Sequence, residues 1–320
     1  MTKELELTSQ PTARSETSLA LAALFADLVI IAFLPIMLKV SEYEISPDAT
    51  IFNRFWIATV ILGLWNGVEF LKRRSLNSTP VKSPPYEGGF EGIKLLLMMG
   101  VFSGGQQLLY ARSLTQTTVA NSEVLHSLTP LFTTLIGWTF LGQKFDRRFV
   151  IGIAIAIVAS IALAANDFSI ALDKLQGDGL ALVSAAFWGG YLMVTEKLRS
   201  QLSIMAITSW NCLLVTLFAL PFVLASGEEL FPHSKVGWLT LGVLGISAIF
   251  TKFLITYSLK RLSSGLVATI LLFHPAITAI LAWGIFSETL TWLNLLAFAV
   301  ILFGAYLTTS SKGGVKETED

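Results

Sequence analysis

Charge is what this chain has least of. Asp, Glu, Lys and Arg make up 14% of its 320 residues, against roughly 25% in an ordinary soluble domain. The apolar share is 53%. A water-soluble globule of this composition could not cover its surface, and a disordered chain would need far more charge. Cysteine is almost missing: Cys212 stands alone in an apolar run, which excludes a disulfide framework or a thiolate metal cluster. There are only three histidines. No zinc-helix spacing, nucleophile elbow, nucleotide loop or cofactor fingerprint occurs, so no metal, no cofactor and no enzyme chemistry is expected. A channel filter or ring of acids is likewise missing. The 22 basic and 22 acidic residues cancel, which leaves no polyanionic partner and no nucleic acid to expect.

What the chain has instead is apolar runs of membrane-crossing length. They fall at about residues 18–38, 49–71, 93–114, 117–141, 149–166, 179–196, 203–225, 236–259, 264–286 and 289–309. Runs such as Phe149–Ala165 are apolar throughout and lack the alternation of a barrel strand. Hydrocarbon offers no partner to backbone N–H and C=O groups, so these runs are read as helices. The expectation is an all-α polytopic membrane protein of ten transmembrane helices, with the bilayer and a small-molecule substrate as its partners. The first run follows a mixed-charge tail without a small-residue cleavage site, so it is read as a retained span.

Lys and Arg in short loops orient the chain. With the N-terminus in the cytoplasm, Lys72, Arg73, Arg74, Lys82, Lys94, Lys144, Arg147, Arg148, Lys197, Arg199, Lys260 and Arg261 lie inside, whereas the other face has only Lys39, Arg112, Lys174 and Lys235. Both termini are then cytoplasmic, in a plasma or inner membrane. Sliding the chain by 145 residues puts Gly100 on Gly245, Gln107 on Lys252, Ser113-Leu114 on Ser258-Leu259, Pro130 on Pro275, Thr133 on Thr278 and Trp138 on Trp283. Each half holds five spans, an odd number, so the halves enter the membrane from opposite sides as an inverted repeat. The division is a tail at 1–17, a first repeat at 18–166 with a cytoplasmic loop at 72–91, a second repeat at 177–309 and a tail at 310–320.

Several motifs carry a resemblance. Tyr110-Ala111-Arg112-Ser113-Leu114 is followed by Ser127-Leu128-Thr129-Pro130, and the fourth span ends Trp138-Thr139-Phe140-Leu141-Gly142-Gln143. The second copy runs His274-Pro275-Ala276 and then Trp283-Gly284-Ile285-Phe286-Ser287-Glu288, and Gly177-Asp178-Gly179-Leu180-Ala181-Leu182 with Trp188 opens the second half. On these residues the chain resembles the drug/metabolite transporter superfamily in its EamA-type branch. Gln143 stands where that family usually has an acid. The resemblance implies a ten-helix carrier working by alternating access, often an exporter of amino acids or other small metabolites.

Ionisable groups inside a membrane are costly and mark function. Those within the spans are Asp27, Arg54, Glu123, His126, Lys252 and His274. Lys252, its repeat mate Gln107 and the adjacent Gln106 should face a midplane cavity, with His274 lining it and Trp188 and Tyr191 walling it. A cavity-facing ammonium would hold a substrate carboxylate or phosphate; the bland alternative is an ion pair of Lys252 with Glu123 or Asp27. Glu123 and His126, spaced i, i+3 on one helix face, could relay protons, with Asp27 as a third proton-coupling candidate. Pro130 and Pro275 should kink their helices and shape the cavity. Arg112 and Glu196 lie near span ends and read as interfacial anchors. Gly100 with Gly104, and Gly63 with Gly67, make small-residue faces for close packing within the monomer. Together these point to a secondary transporter exporting a small polar metabolite such as an amino acid. The alternative substrate class is a hydrophobic cation or drug.

Overall fold

In hydrocarbon a helix is the economical way to bond every backbone group, and the computed structural model is helical wherever its spans are described. It describes residues 13–75, 89–117, 119–126, 128–141, 146–165 and 175–274, with isolated residues beyond them. Pro275, the rest of the ninth span, most of the tenth and much of the 72–91 loop lie outside the described residues. The first span is two helices, α1 (Ala13–Ala32) and α2 (Leu34–Ser41). The second is α3 (Pro47–Ser75) and the third α4 (Gly89–Gln116). The fourth is again split, into α5 (Val119–His126) and α6 (Thr129–Leu141). Then come α7 (Arg147–Ala165), α8 (Leu175–Leu198), α9 (Ile204–Ser226) and α10 (Lys235–Ser258). The ninth span starts as α11 (Ser264–Ile270) and tightens into a 3₁₀ turn at Leu271–Phe273.

Local chemistry sets these ends. Serine side chains cap four of the described helix starts: Ser46 accepts from the Ala49 amide, Ser203 from Ala206, Ser234 from Gly237 and Ser263 from Leu266. Each relieves one of the donors a helix start leaves unbonded. Gly227 closes α9 at φ 66, a left-handed turn open to glycine because it has no Cβ.

Among the described residues five stretches are long and apolar enough to cross a membrane by length and composition: Glu16–Leu38, Pro47–Lys72, Leu175–Leu198, Ile204–Ser226 and Lys235–Ser258. The molecule is apolar outside and polar within. Leu64, Phe90, Val158, Leu224 and Leu239 are exposed, while Asp27, Asn53, Arg54, Gln106, Asn211 and Lys252 are buried. That distribution suits lipid surroundings and no aqueous one.

Two apolar clusters hold the helices together. One joins Leu24 and Leu28 of α1 to Met99 of α4, Leu192 of α8 and Ile255 of α10. The other joins Ile51 and Phe55 of α3 to Leu108 of α4, Val215 of α9 and Leu244 of α10. The third and eighth spans, α4 and α10, therefore serve both clusters. The packing is paired by the repeat. The third span packs on the sixth as the eighth packs on the first, and the third packs on the seventh as the eighth packs on the second. The glycines explain the last pair. A Cβ on Gly100 would lie 2.8 Å from Leu214 Cβ, and one on its mate Gly245 would lie 2.7 Å from Ile57 Cγ2.

Three expectations need correction. The first span is not one helix: it breaks at Phe33 because Pro35 cannot donate to the turn before it. Gly63 and Gly67 meet no packing partner among the described residues, where a Cβ at either would meet open space, whereas the Gly100–Gly104 face packs on Leu214 and Phe218. Arg112 is not simply an interfacial anchor. Its Nε and Nη2 donate to Asp48 Oδ1 and Oδ2 at 2.8 and 2.6 Å, clamping the end of α4 to the start of α3. Glu196 accepts from the Ser264 amide at 2.8 Å and so caps α11.

Two outcomes follow for stability. Gly245→Val should cost about 1–3 kcal/mol, the usual price of overpacking, and Gly63→Val much less; thermal unfolding of the purified variants in detergent checks the contrast. Outside the membrane, Glu44 accepts from the Ser234 hydroxyl and, at 3.1 Å, from the Ser234 amide. Those bonds, the hydroxyl's first, hold its carboxyl below the ordinary glutamate range. A depressed pKa stabilises the fold above the unfolded value of about 4.3, and the gain is lost as pH falls through the lower folded value. The Tm gap between the parent and Glu44→Gln should be present at pH 7 and close below about pH 4.3.

Candidate functional site

Proline breaks are where the site begins. A proline has no N–H for the carbonyl four residues earlier. Pro35 thus frees the Ile31 carbonyl, Pro130 that of His126, and Pro275 that of Leu271. Each freed oxygen has a partner. His274 Nε2 lies 3.0 Å from Ile31 O. The Thr129 hydroxyl donates to His126 O at 2.7 Å. The His274 amide donates to Leu271 O. All three breaks surround one cavity of about 100 Å³, lined among others by Ile31, Pro35, Arg54, Gln106, Gln107, Tyr110, Glu123, His126, Pro130, Trp188, Thr251, Lys252, Leu271 and His274.

One wall is cationic. Lys252 is 2% exposed and donates to Ser103 Oγ at 3.0 Å. Ser103 passes its own proton on to Asn211 Oδ1 at 3.3 Å. The ammonium stands 4.8 Å from the Trp188 ring and 4.0 Å from the Tyr191 ring, and those rings stack at 4.9 Å. Arg54 is also buried. Its Nη1 donates to Gln107 Oε1 at 3.2 Å and its Nε to Leu244 O at 3.3 Å. The repeat mates Gln107 and Lys252 thus flank one guanidinium. Among the described residues no carboxylate lies within ion-pair distance of Lys252 or Arg54, so the ion pair of Lys252 with Glu123 or Asp27 does not form.

The facing wall is acidic and aromatic. Tyr110 donates its hydroxyl to Glu123 Oε1, and Glu123 Oε2 lies 2.9 Å from His274 Nδ1. His126 Nε2 lies 3.4 Å from Gln106 Nε2, and its ring packs 5.1 Å from that of Tyr110.

Of the residues expected here, Lys252, Gln106, Gln107, His274, Trp188, Glu123, His126 and Pro130 meet at this cavity. Tyr191 sits behind Trp188, fully buried. Asp27 is behind the wall as well, at 0% exposure. Neither of its carboxyl oxygens has a hydrogen-bond partner among the described residues. Pro275 lies outside the described residues. Lining residues not foreseen include Ile31, Pro35, Tyr110, Thr251 and, above all, Arg54. Arg54 was visible as an ionisable group within a span, but no repeat mate pointed to it.

Among the described residues there is no group of three or more His, Cys, Asp and Glu side chains that could hold a metal ion. Several known proteins are similar to this chain. An uncharacterized transporter of Archaeoglobus fulgidus is 25% identical over 87% of this chain and 92% of its own length. The threonine/homoserine exporter RhtA of Escherichia coli is 25% identical over 70% of this chain and 75% of its own. The pseudopaline exporter CntI of Pseudomonas aeruginosa is 20% identical over 70% of this chain and 78% of its own. A solved crystal structure superposes with a TM-score of 0.71 over 91% of this chain and 97% of that one; at 17% identity it speaks for the fold alone. The model of the EamA-like transporter family matches residues 18–165 and again 175–310. With two copies of the family unit, paired packing and one polar cavity between them, the chain belongs to the EamA-like transporter family: an integral membrane transporter of ten helices in two inverted five-helix repeats, and not an enzyme.

Proposed function

We propose that this protein exports a small metabolite bearing a carboxylate, an amino acid or a near relative, by alternating access. The repeats at 18–166 and 177–309 would rock about the cavity, in a plasma or inner membrane with both termini cytoplasmic. One observation carries the substrate class. Two buried cationic head groups, Arg54 and Lys252, line the cavity and, among the described residues, donate to neutral acceptors: a carbonyl, an amide and a hydroxyl. A buried charge without its counter-charge is costly, and an incoming carboxylate would relieve it. The guanidinium offers a planar fork and the ammonium a point charge. The names of RhtA and CntI, exporters of amino acids and of pseudopaline, support the direction of transport.

Efflux of a hydrophobic cation is the weaker reading. The aromatic seat that would receive a cation, Trp188 with Tyr191, already holds the Lys252 ammonium.

Counterflow in proteoliposomes tests this, with labelled threonine, homoserine and the other amino acids inside and out. At least one should exchange saturably. Lys252→Ala should raise its KM about 10- to 150-fold, the equivalent of losing a charged hydrogen bond of roughly 1.5–3 kcal/mol. Arg54→Lys, which keeps the charge without the fork, should cost less. Movement of ethidium or tetraphenylphosphonium that survives Lys252→Ala, with no amino acid exchanged, would favour cation efflux.

A further inference from the structure

The imidazole of His274 is bonded at both of its nitrogens. Nε2 lies 3.0 Å from the Ile31 carbonyl. A carbonyl oxygen can only accept, so Nε2 carries a hydrogen. Nδ1 lies 2.9 Å from Glu123 Oε2. A neutral imidazole with its hydrogen on Nε2 has a lone pair on Nδ1, which would point at the carboxylate. The contact is attractive only if a second hydrogen lies between Nδ1 and Oε2. Glu123 Oε1 is already bonded by the Tyr110 hydroxyl, an arrangement that suits a carboxyl group held in one orientation. His126 differs: its Nε2 faces the Gln106 side-chain amide, a contact that needs no added proton.

The position of this pair gives the proton mechanical meaning. Ile31 lies two residues before the break of the first span at Phe33, Glu123 lies on α5, the first piece of the broken fourth span, and His274 follows the 3₁₀ turn of the ninth. One imidazole therefore joins all three discontinuous spans, two of them repeat mates. Sharing the cavity with the pair are Tyr110 from α4, His126 from α5, Arg54 from α3 and Lys252 from α10, with Asp27 of α1 behind the wall; α6 brings no ionisable group, and Tyr191 of α8 lies behind Trp188.

We propose that Glu123 and His274 share one dissociable proton, and that this proton latches the breaks of the first, fourth and ninth spans to one another, so that its release frees them to separate. On release the hydrogen–nitrogen or hydrogen–oxygen bond breaks, the proton passes to water in the cavity, and a carboxylate is left facing a bare Nδ1. Proton binding would thus bias the equilibrium between arrangements of the cavity. The seat itself is independent of the export reading above; its use as a coupling device rests on alternating access.

The experiment uses the full chain in nanodiscs and needs no substrate. With three histidines in the sequence, nitrogen-15 histidine spectra can be assigned by losing one signal in His274→Asn. At neutral pH the expected result is a protonated Nδ1 on His274 or, where the proton rests on oxygen, a carboxylic-acid infrared band that Glu123→Gln removes. In Glu123→Gln the side-chain amide can donate to Nδ1, so the latch stays shut with a neutral imidazole at every pH. A bare Nδ1 beside an ionised Glu123 in the parent would overturn the seat. For the latch, Ala268, a cavity-lining residue at 2% exposure, is replaced by cysteine in a Cys212→Ser background. Its maleimide labelling rate is divided by that in the same protein carrying Glu123→Gln, which cancels the thiol's own pH dependence. The ratio should rise with pH, by at most about tenfold per unit for one proton. A flat ratio would overturn the latch even with the proton in place. Failure of amino-acid counterflow would leave both results standing and count only against the substrate reading.

Discussion

A freed carbonyl inside a membrane must be given a donor by the protein, because hydrocarbon supplies none. That requirement organises this molecule. Three prolines remove donors at Ile31, His126 and Leu271, and three different remedies appear: an imidazole from another span, a hydroxyl three residues on, and a tightened backbone turn. Each remedy places a polar group where a continuous helix would have shown only side chains. The cavity is therefore the consequence of three interrupted helices meeting, and its polarity begins with their own backbone.

The uninterrupted spans supply the frame against which those breaks can move. α4 and α10, the third and eighth spans, contribute to both apolar clusters. They approach their neighbours through repeat-related glycines: Gly100 beside Leu214, Gly245 beside Ile57. Seven residues further along each helix stand Gln107 and Lys252, two turns on and so nearly on the same face. Close backbone packing and cavity lining are thus set by one spacing, used twice. The asymmetry lies in chemistry: one mate is an amide that holds Arg54, the other an ammonium held over aromatic rings.

Much of this architecture was legible in the residues. Long uncharged runs require helices in lipid, the 145-residue offset pairs the proline spans, and Lys252 with Gln107 stand out as polar mates. What could not be read is whatever depends on contact across the sequence. Pro35 sits in a run whose hydropathy is as high as any, so periodicity passes over the break. The pairing of Glu123 with His274 spans 151 positions (274 less 123), while the i, i+3 spacing to His126 drew attention locally. Arg54 was visible as a charge in a span, yet only packing against Leu244 and Gln107 turns it to the cavity. The Gly63–Gly67 motif shows the converse: the pattern is that of a packed face, and the fold leaves it open.

Stability alone does not account for the two buried cations. Removing charges of this kind in favour of apolar side chains of similar size is often neutral or stabilising, and the surroundings of Lys252 could readily be filled by leucine. Keeping an ammonium and a guanidinium beside a hollow of about 100 Å³, each bonded only to neutral groups, retains a deficit that the fold does not relieve. Asp27, behind the wall with both oxygens unbonded among the described residues, makes no ion-pair contact with either cation. Both cations line the cavity, so whatever keeps them in the membrane acts where the interrupted helices meet.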